Sequence, residues 1–166
     1  MMKNRSVNIL IVALLLLAAL SVTIIVFLND AHEKFPESIT VSEDGVTEKI
    51  GKVRDLKLIP TASKEYSVDF FCAASGEYEF EIEYDEIEDG GMKSFVNVTI
   101  TFDDEKIYEG SLASLLDSDT TVGFDGDLHE TEPTTVVFSY EMPYDVENDA
   151  QGTWSDFNII FSVKKK

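Results

Sequence analysis

Few residues in this chain carry groups that do chemistry, and they stand apart. The only histidines are His32 and His129, and Cys72 is the only cysteine. Neither histidine has a second at zinc-ligand spacing, and no His-Glu-x-x-His pair occurs, so a metalloprotease helix cannot be drawn. There is no Gly-x-Ser-x-Gly elbow and no Gly-rich phosphate loop ending in lysine. Cys72 lies in the apolar stretch Phe70-Phe71-Cys72-Ala73-Ala74. It reads as a small buried hydrophobe, since a single cysteine closes no internal disulfide. An intermolecular disulfide is the alternative.

Oxygen ligands are more plentiful. Asp117, Asp119 and Thr121, then Asp125 and Asp127, then Asp145, Glu147 and Asp149 fall in polar stretches. A helix-loop-helix calcium pattern fails, because its central glycine position holds Val122 and its last position Leu128. Calcium held between loops remains the weaker option, with Asp117, Asp119, Asp125 and Asp127 as candidates. Asn97-Val98-Thr99 is a glycosylation sequon and equally an ordinary polar strand face. These residues assemble no catalytic constellation, so a non-enzymatic protein without a cofactor is expected.

Alternating strands would have to position these groups. From Glu77 to Asp85, Tyr78, Phe80, Ile82 and Tyr84 point one way and Glu77, Glu79, Glu81, Glu83 and Asp85 the other. A period of two fixes the register, because a slip of one residue would bury five carboxylates. Tyr66 to Ala74, Ser94 to Phe102, Thr134 to Met142 and Trp154 to Val163 alternate similarly, and Ser38 to Val41 is a short strand. Val46 to Ile59 is weaker and reads as one or two short strands. Ser111 is placed to N-cap a short helix over Leu112 to Leu116. Asp117 to Pro133 reads as a long acidic connection. Short strands with turn signals and almost no helix predict an all-β antiparallel sandwich, jelly-roll or immunoglobulin-like, over residues 38–166.

The most distinctive stretch lies ahead of that domain. Val7 to Leu28 is apolar and uncharged. At about 1.5 Å rise per residue, a run of about 20 such residues spans a hydrocarbon core of about 30 Å. Lys3 and Arg5 precede it, so the N-terminus is expected in the cytoplasm and the rest outside. The run is longer than the h-region of a signal peptide, which favours a retained anchor; a cleaved leader also fits, and a buried core helix fits least. The organisation is then residues 1–28 as cytoplasmic tip and anchor or leader, 29–37 as connector, and 38–166 as sandwich. The domain sits on the outer face of the membrane, or is secreted if the leader is cut.

The chain has 13 basic and 32 acidic residues; with Lys3 and Arg5 removed, the exported part carries 11 against 32. Such a charge repels nucleic acid and anionic lipid headgroups. The expected partners are the membrane, through the hydrophobic helix, and proteins.

Several short elements carry a resemblance. Phe27-Leu28-Asn29-Asp30 follows the apolar run, Tyr66 to Asp85 forms strand, Ser-Gly turn and strand, and Ile107 to Leu115 leads into a Leu-rich turn. Gln151-Gly152-Thr153-Trp154 opens the last strand. In these the chain resembles the TasA/camelysin family of exported bacterial β-sandwich proteins, which build biofilm matrix fibres. Thr23-Ile24-Ile25-Val26 replace the family's small residues before the Phe-x-Asn-Asp element. The proteolysis attributed to some members has no motif here. The resemblance implies assembly by strand donation, with Phe35, Ile39 and Val41 of the segment His32 to Ser42 filling pockets on a neighbouring subunit.

Overall fold

The computed structural model describes residues 35–42, 47–117, 120–146 and 148–166. The apolar run Val7 to Leu28 lies outside the described residues. Among the described residues no helix is long and apolar enough to cross a membrane.

The described chain is all-β, built of two sheets. Its strands are β1 (Ser38–Val41), β2 (Thr47–Leu56), β3 (Ser63–Cys72), β4 (Gly76–Asp89), β5 (Asn97–Phe102), β6 (Glu105–Ser111), β7 (Thr121–Leu128), β8 (Thr134–Glu141) and β9 (Ser155–Lys165). One sheet has the order β1-β3-β8-β5-β6 and the other β2-β9-β4-β7. Neighbours pair antiparallel except β1, which runs parallel to β3.

Alternation decides which face turns inward. Tyr78, Phe80, Ile82 and Tyr84 of β4 are buried, while the intervening carboxylates are exposed, as the period of two predicts. Val68, Phe70 and Cys72 of β3, Val136, Phe138 and Tyr140 of β8, and Phe157, Ile159, Phe161 and Val163 of β9 complete the inner faces. Rings meet between the sheets: Phe70 lies 5.4 Å from Phe80 at 90°, and Phe138 lies 5.7 Å from Phe161 at 74°. Each such fully buried side chain stabilises the fold by roughly 1.5–3 kcal/mol. The hydroxyls of Tyr84 and Tyr140 are 3.0 Å apart in this interior, each giving the other a partner. Burial pushes both phenols above their ordinary range.

Local signals hold where they are strong. The Ser111 side chain accepts from the Ser114 N–H and caps helix α1 (Leu112–Leu115). Asp103 and Asp104, both at positive φ, turn β5 into β6. The weakly patterned stretch from Val46 to Ile59 contains the single strand β2, kinked between Val53 and Leu56 where Asp55 takes positive φ.

Two expectations are overturned. The strand read from Ser94 starts only at Asn97, because Met92–Phe95 forms a turn of 3-10 helix. Residues 117–133 are not one long connection, because β7 occupies Thr121–Leu128 and closes the second sheet against β4. Val122 and Leu128 point inward and are buried, and Phe124 stacks on Phe80 at 4.9 Å. Gly126 stands where a side chain would collide with the Phe102 ring. Gly and Asp are depleted in strands, which hid the alternation.

Candidate functional site: the N-terminal segment and its groove

Phe35, Ile39 and Val41 come from a polar stretch with only these large apolar residues, and the fold buries them together. Ile39 and Val41 are 1% and 0% exposed, while Ser38 and Thr40 between them face solvent. The segment lies on the outer side of β3, with Ser38 opposite Asp69 and Val41 opposite Cys72. The Asp69 N–H donates to the Glu37 carbonyl at 3.0 Å and extends the pairing upstream.

Phe35 reaches between the two sheets. Its ring lies 5.1 Å from Tyr66 of β3, 5.8 Å from Phe138 of β8 and 6.1 Å from Phe161 of β9. Gly51 of β2 makes room for it, since a Cβ there would come within 2.8 Å of Phe35 Cε2. The segment therefore forms the edge of the first sheet alongside β3, with Phe35 packed against β2, an edge of the second. What this geometry offers is recognition rather than catalysis: backbone hydrogen bonds along an edge, with alternate side chains in pockets. The pockets belong to the same chain that supplies the strand.

The other candidates are not brought together here. Asp117 follows α1 and accepts from the Thr120 N–H through its carbonyl. Asp125 and Asp127 are exposed on β7; Asp125 is paired with Lys166 at 2.7 Å, and Asp127 stands opposite Glu77. Asp127 lies about 20 Å of extended strand beyond Thr121, so it cannot share an ion with Asp117. Asp119 and Glu147 lie outside the described residues. Among the described residues no group of three or more His, Cys, Asp or Glu side chains is placed to hold a metal. Cys72 is buried and unbridged, with the Tyr78 hydroxyl donating nearby to the Ala74 carbonyl at 2.6 Å. His129 is exposed just after β7, and His32 lies outside the described residues.

A second concavity, of about 300 Å³, lies on the outer face of the first sheet, lined by Asn97, Thr99, Glu109, Ser139 and Glu141. Short side chains at Thr99, Ser111 and Ser139, with Gly110, leave room between Glu109 and Glu141. Asn97 and Thr99 of the sequon share this polar face.

The residues that receive the segment, Gly51, Tyr66, Phe138 and Phe161, were not singled out in the sequence. The one available signal was Gly51, a glycine interrupting an otherwise charged strand. The chain matches no protein family and no curated protein.

Proposed function

We propose that this is a non-enzymatic jelly-roll domain, carried to the cell surface by its hydrophobic leader, that assembles with copies of itself or related subunits by strand exchange. In this reading it is a matrix-fibre subunit, or an accessory held at the membrane, in the manner of the TasA/camelysin family. The observation that carries the reading is the segment Phe35 to Val41. It is a short edge strand with buried alternate residues, seated along β3 with Phe35 against Gly51 of β2. An edge strand near a chain terminus can leave its own groove and enter an identical one without unpicking the remaining sheet. The order β2-β9-β4-β7 over β3-β8-β5-β6 supports the jelly-roll form, with successive strands crossing between sheets except at the β5–β6 hairpin.

A second reading has its own support. The groove is filled by the chain's own segment, as in a self-sufficient monomer that presents acidic loops as an anchored binding module.

The register supplies a test, because Val41 stands opposite the only cysteine. In V41C, oxidation should join position 41 to Cys72, neighbours in a strand pair being close enough for a disulfide. If strands are exchanged, non-reducing gels will show a ladder of linked chains that collapses in reductant and is absent in V41C/C72S. A disulfide formed only within single chains would reject exchange and leave the monomeric module.

A further inference from the structure

The second sheet ends in two edges of opposite charge. On β2 Lys49, Lys52 and Arg54 outnumber Glu48 and Asp55, a net of +1 in a strongly acidic chain. β7 carries Asp125 and Asp127 and no basic residue, and Lys166, just after β9, pairs with Asp125 at 2.7 Å. The edges of the first sheet are different. β1 is four residues long, and β6 carries two carboxylates, Glu105 and Glu109, for its one Lys106.

Direction and length also match. β2 is antiparallel to β9, β9 to β4, and β4 to β7, so β2 and β7 run in opposite senses. A copy displaced sideways, without turning over, would set its β2 antiparallel to the β7 of the first. The strands are 10 and 8 residues long, contain no proline, and among the described residues no strand pairs with the outer side of either.

We infer that β2 of one copy pairs with β7 of the next, extending the second sheet from molecule to molecule. The register follows from charge. Lys52 opposite Asp125 places Arg54 opposite Gly123, Ile50 opposite Asp127 and Glu48 opposite His129. Lys52 is then diagonal to Asp127 and Arg54 to Asp125, against the single like-charge diagonal of Glu48 with Asp127, and no two like charges stand directly opposite. Ile50, half exposed at 51%, gains a covering strand. The contact is heterologous, so it does not close on itself and propagates as a row. It uses neither Phe35 nor Val41, and so stands or falls separately from strand exchange.

The test uses the full chain in detergent micelles at about 0.15 M salt, where repulsion between whole domains is screened beyond about 8 Å. Mass is read by light scattering and sedimentation for the parent chain, K49E/K52E and D125K/D127K, with folding monitored by thermal melting. The parent should form species that lengthen with concentration, and each variant should lose them. An equimolar mixture of the two variants pairs two reversed edges, with charges again opposite, and leaves the two parental edges complementary, so it should recover the larger species. If either variant melts without a cooperative transition, K49Q/K52Q and D125N/D127N replace them. A parent that stays monomeric at every concentration, variants that assemble like the parent, or a mixture that recovers nothing would overturn the pairing.

Discussion

The ring of Phe35 rests against the backbone of Gly51, so closely that a methyl group at position 51 would lie 2.8 Å from Phe35 Cε2. The N-terminal segment and strand β2 are thus coupled by a missing side chain. Gly51→Ala should push Phe35 from its pocket and destabilise the domain by about 1–3 kcal/mol, as overpacking does. Phe35→Ala should cost about 2–4 kcal/mol through the cavity it leaves, somewhat less than a fully buried phenylalanine. Urea melts of both variants measure this. If the segment exchanges between chains, Gly51→Ala should also raise the share of linked chains formed by V41C.

The Tyr84–Tyr140 pair makes an asymmetric prediction. Either Tyr84→Phe or Tyr140→Phe leaves a buried hydroxyl without its partner and should cost about 1–2 kcal/mol. The double phenylalanine variant removes both polar groups and should be nearly as stable as the parent. A double-mutant cycle by denaturant melting reads the coupling.

The same pair sets an alkaline limit. Both phenols are held protonated in the folded state above their ordinary value of 10.0, chiefly by burial. The unfolded chain releases these protons first, so stability is complete below about pH 10 and falls as pH rises beyond it. Each tyrosine contributes a slope of about 1.4 kcal/mol per pH unit in that window. The double phenylalanine variant should lose this part of the slope, and melting curves between pH 8 and 12, read at about half-unit steps, would show it.

Calcium offers a fourth check. Asp125 is paired with Lys166 and lies on a strand rather than in a loop. Any rise in melting temperature with saturating calcium should therefore survive Asp125→Asn and Asp127→Asn unchanged. Loss of the rise in those variants would return β7 to the list of ion sites.

Much of the fold was legible where burial follows strict alternation. β4, with Tyr78 to Tyr84 inward and carboxylates outward, could adopt no other register. The cap at Ser111 was legible because it is local. β7 was not, because Gly123, Gly126, Asp125 and Asp127 mimic a loop, and only contact with Phe80 and Phe102 explains why the chain stays extended there. At the candidate site Ser38 to Val41 was readable as a short alternating strand, whereas Phe35, in a stretch read as a connector, was picked out only by the resemblance. The groove was not readable, since Gly51, Tyr66, Phe138 and Phe161 come from four strands whose meeting is a property of the whole sandwich.

The outward row of β4 has one more effect. Glu77, Glu79, Glu81, Glu83 and Asp85 occupy the middle of their sheet's exterior. Any slab laid flat on that exterior would have to strip water from these anions, a far larger penalty than contact at a rim. That cost disfavours lamellar stacking on that side, and copies joined along their rims as inferred above would produce a ribbon one molecule thick.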